Sequence, residues 1–490
     1  MMNATLTISL AACVGWLIVS LFSRKPKRPP GPRRLPILGN TLQIPSTFQW
    51  LTFSKWAKEY GDIVYLEVFG QPMVLLNTHK SAKDLLEQRS PIYSDRPHLE
   101  MADFCGFDKT FVLYPAHDNW RQQRKIVTQD LGPRMLPRYY AFQEAEARLL
   151  AKNAIDDPGQ LEGLVKRRIG TIIIRIAYGH YVSANDDPFL TLGKASMDIF
   201  NRASAPGVWL VDLMPVLKYL PSWLPGAGFI TTAQGWREIV HKAAWDTYMW
   251  SKRSYESGSA LLPNTCSTAL EAVNGTLPRD LEEQVAWAVC TMMAGGMDTS
   301  MISTLNLFLE MMLNREVQVK AQNEIDLVIG RHRLPTIADR HSLPYVKSIV
   351  TEIFRLNTTV PLGIAHALRE DDVYDGVHLP KGSIVIPNVW HMLHDPAVFS
   401  NPMRFDPDRY QNLDSEMAKV TDVAFGFGRR VCPGKAFGEN TVFAFAATLL
   451  ATCDIFPAVD ENGQEIIPNV ARQFSFSIRL QHQTAVKSCI

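Results

Sequence analysis

In the first part of the chain, hydrophobic positions follow one another with no charged residue between them. Residues 4–22 carry no charge, and a cluster of Lys and Arg begins at Arg24. About 20 apolar residues span the hydrocarbon core of a bilayer, and flanking basic residues mark the cytosolic side. The pattern predicts a single-pass anchor over residues 1–23. A cleaved signal peptide is the alternative, but no basic residue precedes the run and no small-residue cleavage pattern ends it.

Residues 24–40, behind the anchor, are basic and rich in proline, with Pro29-Pro30-Gly31-Pro32 near their middle. Proline fixes φ and removes a backbone donor, so this segment cannot continue a helix. We expect it to leave the membrane as an extended, fairly stiff strap that orients the body of the protein. An ordinary linker is the alternative interpretation.

Two regions of the body show the alternation that is typical of strands. Residues 60–78 alternate, are rich in β-branched and aromatic side chains, and contain a Gly70-Gln71-Pro72 turn, which together predict a hairpin. A second β region is predicted over residues 373–387, with turns at Asp375-Gly376 and Lys381-Gly382.

Most other periodic stretches are helical. The longest predicted helix runs from about Asp280 to Asn314 and is apolar nearly all round, which is typical of a helix through the middle of a large core. No repeat, low-complexity stretch or long flexible linker follows residue 40. The sequence therefore predicts one large domain over residues 41–490, mainly α with a minor β region.

Charge and composition exclude some classes of protein. The chain has 490 residues with 50 Lys and Arg against 49 Asp and Glu, so its net charge is only +1. A nucleic-acid partner is not expected, because such binding needs a basic surface that this balance does not supply. The seven cysteines contain no close Cys-x-x-Cys pair, which argues against a disulfide framework or a zinc ribbon.

One cysteine lies in a distinctive loop. Residues 425–434 fit the pattern Phe-x-x-Gly-x-Arg-x-Cys-x-Gly, which arises by chance on the order of once in ten thousand chains of this length. Glycines 428 and 434 allow tight turns that aim amide N–H groups at the sulfur of Cys432 and stabilise a thiolate. Arg430 could meet an acidic group of a cofactor, and Phe425 could screen the sulfur from water. A buried cysteine in a glycine-rich turn is the alternative.

The loop resembles that of the cytochrome P450 superfamily, in which a Cys thiolate holds the haem iron. The resemblance implies that Cys432 is the axial ligand of a haem b (iron protoporphyrin IX). A Glu-x-x-Arg pair, Glu352 and Arg355, and the later Arg409 are similar to the family's buried triad. Around Arg409, Asp408 and Tyr410 replace the family's usual Glu and Phe.

In the long helix, residues 295–300 resemble the family's oxygen-activation motif. Two glycines and a Thr are poor helix formers, and the Thr hydroxyl can bond to a carbonyl four residues earlier, so we expect a local distortion there. The resemblance implies that Asp298 and Thr299 relay protons to bound oxygen. A glycine notch for helix packing, with a solvent-facing Asp and Thr, is the alternative.

Three further residues match positions at which the family binds the haem propionates. Trp120 and Arg124 give the family's Trp-x-x-x-Arg and share one helix face. His366 follows a Pro-Leu-Gly segment at a position where the family often has a propionate-binding His or Arg. Taken alone, the first pair would indicate an amphipathic surface helix, and a single His is usually structural.

The resemblance spans nearly the whole chain. It is strongest to eukaryotic microsomal members, because soluble bacterial members lack the anchor. The strap and residues 361–369 resemble those of fungal secondary-metabolism enzymes. It implies a monooxygenase that inserts one oxygen atom from O2 into a lipophilic molecule, such as a terpenoid. NADPH-cytochrome P450 reductase is the implied electron donor, because the chain has no flavin or dinucleotide motif. The implied location is the endoplasmic reticulum membrane, with the catalytic domain in the cytosol. A haem-thiolate isomerase, dehydratase or peroxygenase, or a membrane-bound haem sensor, is the alternative.

The substrate pocket and the reductase surface are assigned by family position alone. A basic patch for the reductase is expected from Arg121, Lys125, Arg429 and Lys435, with solvated surface charge as the alternative. Ordinary core packing is the alternative for the pocket walls. The expected walls are Phe104, Phe107, Phe111, Met293, Ala294, Met297, Val360, Leu362, Ile364, Phe474 and Phe476.

Overall fold

The computed structural model describes residues 27–205, 207–273, 275, 277–410, 413–462, 464–466 and 484–488. The anchor predicted over residues 1–23 lies outside the described residues, as do Phe474 and Phe476. Within the described ranges, no helix is both long enough and apolar enough to cross a membrane.

Helices make up most of the described structure. The longer α-helices are α1 (Gln49–Tyr60), α2 (Asp118–Leu131), α3 (Pro137–Asp156), α4 (Leu161–Tyr178), α5 (Pro188–Ala203), α6 (Gly228–Glu256), α7 (Thr265–Glu271), α8 (Arg279–Leu313), α9 (Arg315–Val328), α10 (Pro344–Leu356), α11 (Leu413–Ala424) and α12 (Lys435–Thr452). Shorter α-helical segments are His79–Ala82, Ser90–Tyr93, Glu100–Phe104, Leu210–Leu213 and Val389–Leu393. A π-helical turn covers Lys83–Gln88, and 3₁₀ turns cover Thr41–Gln43, Phe107–Lys109, Pro158–Gln160, Pro215–Tyr219, Ile337–His341, Pro407–Arg409 and Gly428–Arg430.

The strands are short and form small sheets. They are β1 (Ile63–Val68), β2 (Gln71–Leu76), β3 (His366–Ala367), β4 (Asp372–Tyr374), β5 (Val377–Leu379), β6 (Ile384–Pro387), β7 (Cys453–Val459), β8 (Glu465–Ile466) and β9 (Thr484–Ser488). One sheet has the order β1-β2-β6-β3, β4 pairs with β5, and the third sheet has the order β8-β7-β9. The fold is therefore mainly helical with small sheets, as the sequence predicts.

The predicted hairpin is confirmed as β1 and β2, which pair antiparallel from Ile63 opposite Leu76 to Val68 opposite Gln71. Its turn consists of Phe69 and Gly70, both at positive φ, at 48° and 82°. Two-residue hairpin turns favour such angles because they match the twist of the strands. The turn therefore lies one residue earlier than predicted, and Gln71 already belongs to β2.

The second β region is also confirmed. Strands β4 and β5 pair antiparallel, and Asp375 and Gly376 form the turn between them at φ 49° and 74°. Gly382, at φ 79°, lies in the turn that leads into β6. Strand β6 then pairs parallel with β2 and antiparallel with β3, which joins this region to the first hairpin.

The long helix α8 runs through the largest apolar core, as predicted. It begins after Pro278 and ends before Asn314. Asp280 and Glu282 in its first turn offset the partial positive charge of the helix start. Helices α2, α4, α5, α6 and α12 pack around it, which explains why its buried residues occur on every side.

The described part of the proline-rich strap, from residue 27 to residue 40, is fixed to strand β1. Tyr65 N–H donates to the carbonyl of Pro30 at 2.8 Å, and the Arg28 guanidinium donates to the Tyr65 hydroxyl at 2.8 Å. Arg34 pairs with Glu67 at 2.8 Å. A Cβ on Gly31 would fall 2.1 Å from the carbonyl oxygen of Tyr65, so this close approach requires glycine. The strap is therefore packed against the body.

Candidate functional site

The cysteine loop is held by backbone contacts that require glycine. Cys432 N–H donates to the carbonyl of Phe425 at 2.8 Å, which closes the loop on itself. Gly428 has φ 53°, and a Cβ there would lie 2.4 Å from the carbonyl oxygen of Leu86. Helix α12 begins directly after the loop, with Gly434 as its N-cap.

The Cys432 side chain is accessible to solvent although protein atoms surround it. Its side chain is exposed, yet burial raises the pKa of the thiol, and the Gly434 N–H, Arg124 and Lys435 act in the opposite direction. The Gly434 N–H therefore points at the sulfur as the sequence predicts, in a position where a bound metal could reach it. Phe425, at the start of the loop, packs edge-on against Phe354, with ring centroids 5.2 Å apart.

Arg430 of the cysteine loop and Arg124 of α2 both lie close to the Trp120 ring. Arg430 is buried and donates to the carbonyls of Ser94 at 2.8 Å and Phe111 at 3.0 Å. Arg124 donates to the carbonyl of Val431, so it joins α2 to the cysteine loop. The Trp120 ring lies 4.7 Å from the Arg430 guanidinium and 5.9 Å from that of Arg124. Trp120 Nε1 is buried and has no hydrogen-bond partner among the described residues.

A further arginine, Arg96, belongs to the same group and was not predicted. It is buried and donates to the carbonyls of Val112 at 3.0 Å, Ile364 at 2.6 Å and Ala365 at 2.9 Å. No local spacing marks Arg96 in the sequence, because its partners Ile364 and Ala365 come from a distant part of the chain. Only the assembled fold brings it to the other two arginines.

These arginines carry more positive charge than their surroundings compensate. Burial, Arg430 and Arg124 hold the pKa of Arg96 well below its ordinary value. Burial and Arg124 lower the pKa of Arg430 to about 9, against the opposing influence of Asp95. Buried charges are strongly unfavourable without a partner of opposite sign. Together with the unpaired Trp120 Nε1, these arginines fit an anionic ligand.

His366 lies on β3 beside the arginines. Its Nδ1 is 2.7 Å from the carbonyl oxygen of Tyr93. Burial, Arg96 and Arg430 hold the pKa of His366 well below its usual range, which favours the neutral imidazole. The structure therefore brings His366 into the group that contains Trp120 and Arg430.

The two glycines of α8 have different surroundings. A Cβ on Gly295 would meet no atom within 4 Å, whereas one on Gly296 would lie 3.0 Å from Ile173 of α4. Gly295 therefore borders open space, and Gly296 is a packing notch. The Thr299 hydroxyl donates to the Gly295 carbonyl at 2.8 Å, as predicted. The helix remains α-helical across these residues, so the expected distortion does not interrupt it.

Asp298 points away from the Thr299 side of the helix. It is buried, and its charged neighbours are Asp198, Lys194 and Lys166 on α4 and α5. Burial and then Asp198 raise its pKa to about 7, with Lys194 and Lys166 opposing. The acid and the hydroxyl are consecutive in sequence but have different environments.

The Glu-x-x-Arg pair forms a buried network with Arg409. Arg355 donates to both carboxylate oxygens of Glu352, at 2.8 and 2.7 Å, and Arg409 Nε donates to Oε1 at 3.1 Å. Arg355 also donates to the carbonyls of Leu393 and Pro402, at 2.9 and 2.8 Å. The network therefore fixes the segment that leads from α10 toward the cysteine loop.

The predicted pocket walls divide into separate groups. Met293 and Met297 are buried against α5, because a Cβ on Gly193 would lie 3.0 to 3.2 Å from their side chains. They lie in the contact between α8 and α5, and their assignment as pocket walls stays a prediction. Phe107 is also buried, with its ring edge-on to Phe200 at 5.3 Å.

The remaining predicted walls are more open or lie elsewhere. Ala294, Val360 and Ile364 are partly or largely exposed, and Phe111 is buried. Phe104 is half-buried and its ring centroid is 6.3 Å from that of Phe229. Leu362 packs against the cluster of β1 and β2.

The residues of the expected basic patch lie on the elements that carry Arg124 and Cys432. Arg121, Lys125 and Arg429 are exposed, and Lys435 is half-buried. Arg121 pairs with Asp118 at 2.8 Å, and Lys435 pairs with Asp422 at 3.4 Å. Exposed pairs of this kind contribute little to stability, so these cations stay accessible to a partner.

Comparison with known proteins identifies the family. The family model described as Cytochrome P450 matches residues 29–472. Cytochrome P450 monooxygenase 105 of Postia placenta is 51% identical over 471 residues, which cover 95% of this chain and 90% of that protein. Cytochrome P450 monooxygenase 226 of the same fungus is 47% identical with the same coverage. Cytochrome P450 monooxygenase claR of Ampulloclitocybe clavipes is 38% identical and covers 94% of this chain and 86% of that protein. The chain therefore belongs to the cytochrome P450 family and is a P450 monooxygenase with fungal relatives.

Proposed function

We propose that the chain binds haem b through Cys432 and inserts one oxygen atom from O2 into a lipophilic small molecule, such as a terpenoid or another secondary metabolite. The observation that carries this proposal is the accessible Cys432 thiol together with the neighbouring arginines, of which Arg96 and Arg430 are buried without sufficient counter-charge. A thiolate is a ligand for iron, and excess buried positive charge favours the binding of carboxylates.

The residues present fit a haem. Cys432 would supply the thiolate, and the Gly434 N–H would stabilise its charge. Arg96, Arg124 and Arg430 would compensate the propionates, and the unpaired Trp120 Nε1 would donate to them. His366 would complete this side of the site. When bound, the haem supplies the activation of dioxygen and the oxidation of the substrate.

In this proposal, Asp298 and Thr299 transfer protons to the reaction site. A carboxyl group with a pKa of about 7 takes up and releases protons at neutral pH, which is the property that a general acid requires. Lys166 and Lys194 lie on the side of Asp298 that faces α4 and α5. The Thr299 hydroxyl donates to its own helix and keeps its lone pairs for a water in the open space beside Gly295.

We expect an apolar substrate, because the predicted pocket residues that remain accessible are themselves apolar. Ala294, Val360 and Ile364 carry no polar group and remain partly or largely exposed. Such a surface favours a ligand that is recognised by shape and burial, with few directed hydrogen bonds.

Electrons are proposed to come from NADPH-cytochrome P450 reductase, at the patch formed by Arg121, Lys125, Arg429 and Lys435. The patch lies on the cysteine loop, on the start of α12 that follows it, and on α2, which Arg124 joins to the loop through the Val431 carbonyl. The proposed location is the endoplasmic reticulum membrane, with the anchor over residues 1–23 in the lipid and the catalytic domain in the cytosol. The uncharged run of residues 4–22 supports this location.

The experiment that tests the proposal is turnover with isotopically labelled oxygen. The full chain, co-expressed with a reductase in a host that makes terpenoids, should convert a host metabolite to a product that carries one atom of labelled oxygen from O2. NADPH should be required. An isomerase or dehydratase would form unlabelled product without NADPH, a peroxygenase would take its oxygen from added peroxide, and a sensor would form no product.

A further inference from the structure

Helix α8 carries a row of polar side chains on one face, although most of the helix is apolar. Thr299, Ser303, Asn306 and Glu310 follow one another at spacings of four, three and four residues. Such spacings place side chains above one another on a helix, with about 5–6 Å between neighbouring Cβ atoms. Gly295, which borders open space, lies on the same face one turn before Thr299. The row therefore begins at the proposed reaction site.

Asn306 is the unusual member of this row. It is 2% exposed, and its Nδ2 has no hydrogen-bond partner among the described residues. A buried polar group without a partner costs about 1–3 kcal/mol. Buried groups of this kind are normally satisfied by an ordered water when the protein offers no acceptor. Asn306 Nδ2 is therefore a site for a bound water molecule inside the protein.

Glu310 brings a carboxylate to the far end of the row. It is also 2% exposed and accepts hydrogen bonds from Asn357 Nδ2 at 2.9 Å and Asn314 Nδ2 at 3.2 Å. Asn314 is half-buried, and its neighbour Leu313 is 43% exposed, so α8 reaches the protein surface there. The Glu310 carboxylate therefore lies one helical turn from the surface and one turn from Asn306.

The hydroxyl groups of the row can each accept a hydrogen bond from a water molecule. Ser303 Oγ donates to the Thr299 carbonyl at 2.9 Å, and Thr299 Oγ1 donates to the Gly295 carbonyl at 2.8 Å. A hydroxyl that donates once still has lone pairs that accept. A single water bridges a gap of the size that separates neighbours on a helix face.

We infer that this row is a second proton route, which leads from the surface at Asn314 through Glu310 and a water at Asn306 to the Thr299 hydroxyl. A proton leaves the Glu310 carboxyl for the water, the water passes a proton on through Ser303, and Thr299 Oγ1 receives one for each that it gives up. Bulk water then reprotonates Glu310. The inference rests on the proposed oxygen chemistry, and it names a carboxylate on a different side of α8 from Asp298.

A purely structural role for Glu310 leaves Asn306 unexplained. The bonds from Asn357 and Asn314 tie the end of α8 to the end of α10, and they would do so without Asn306. The unpaired amide lies between Glu310 and Ser303, where tight apolar packing would be the more stable choice. A route for protons accounts for both residues.

The test combines a structural readout with a coupling readout on the full-length holoenzyme. A high-resolution structure should contain an ordered water within hydrogen-bond distance of Asn306 Nδ2, and Asn306→Leu should lose it. Asn306→Leu and Glu310→Gln should release several-fold more hydrogen peroxide per NADPH than the wild type and should show a larger solvent deuterium isotope effect. Thr304→Val is the matched control, because Thr304 is buried on the same helix and its hydroxyl donates to the Ser300 carbonyl at 2.9 Å.

Two results would overturn the inference. One is an Asn306 amide that is dry or bonded to protein. The other is peroxide release by Asn306→Leu and Glu310→Gln that matches Thr304→Val, while Thr299→Ala releases peroxide in place of product. Failure of the proposed function would give a different result. The wild type itself would then form no product with NADPH and reductase, and the proton route would have no reaction to supply.

Discussion

The hydroxyl of Tyr410 donates a hydrogen bond of 2.7 Å to Oε2 of Glu352. Tyr410 stands where the cytochrome P450 family usually has a Phe, and both residues are buried. Arg355, Arg409 and the backbone N–H of Asp406 complete the donors around the same carboxylate. The departure from the family pattern therefore adds a donor to the most buried charge network of the described structure.

Tyr410→Phe should destabilise the protein without removing the haem. Loss of a hydrogen bond to a charged group lowers the free energy of unfolding by about 1.5–3 kcal/mol. Chemical denaturation of the holoenzyme measures the change. Tyr345→Phe is the control, because Tyr345 bonds to the exposed Asp408 at 3.3 Å and its loss should have little effect. Equal losses in the two variants would contradict a special role for Tyr410.

Arg96→Met should weaken haem binding. Arg96 is one of the buried cations that the haem propionates would compensate, and removal of such a contact corresponds to about a 10- to 100-fold higher dissociation constant. Transfer of haem to an acceptor protein, followed by absorbance, measures this constant. Arg429→Met removes an exposed arginine nearby and should leave the constant unchanged. If Arg96→Met keeps its haem as tightly as Arg429→Met does, Arg96 does not belong to the site.

Asp298 should make the stability of the protein depend on pH. Its pKa is raised to about 7 in the folded protein, while an unfolded Asp has a pKa of about 3.9. The folded state therefore holds its proton more tightly, so the stabilising contribution is complete below about pH 4 and is lost as the pH rises through about 7. The change is on the order of 2–4 kcal/mol.

Denaturation midpoints of the wild type and Asp298→Asn between pH 4 and 8 test this. The wild type should lose stability between about pH 4 and pH 7 and level off above that, and Asp298→Asn should lack this part of the slope. Parallel curves for the two proteins would mean that Asp298 ionises at its ordinary pKa.

Reversal of the basic patch should slow electron delivery alone. Arg121→Glu combined with Lys125→Glu removes two exposed cations from α2, so turnover with reductase should fall and become less sensitive to salt. Turnover driven by peroxide needs no reductase and should persist. Lys58→Glu combined with Lys381→Glu makes the same charge change at exposed positions on other elements. If both kinds of turnover fall together, the patch is not a docking surface.

Local signals in the sequence were sufficient for several elements. The hairpin of β1 and β2 follows from alternation and a turn, and α8 follows from a long apolar stretch after a proline. The cysteine loop follows from its glycines, because Gly428 adopts a positive φ of 53° that favours glycine. In each case, the residues that determine the structure are neighbours in the sequence.

Other features depend on contacts between distant residues. Helix α8 is apolar nearly all round, so its sequence does not reveal that Met293 and Met297 pack against Gly193 of α5. Gly295 and Gly296 are adjacent, yet only the packing of Ile173 distinguishes their environments. Arg96 joins the site through carbonyls at Ile364 and Ala365, which no local pattern connects to it.

The most direct test of the central claim is the carbon monoxide difference spectrum of the reduced protein, measured for the wild type and for Cys432→Ser. The wild type should show the Soret band at the long wavelength that thiolate ligation produces. Cys432→Ser should lose that band together with NADPH-dependent turnover. A wild type that stays colourless with added hemin, or a Cys432→Ser protein that keeps both the band and the turnover, would contradict thiolate ligation by Cys432.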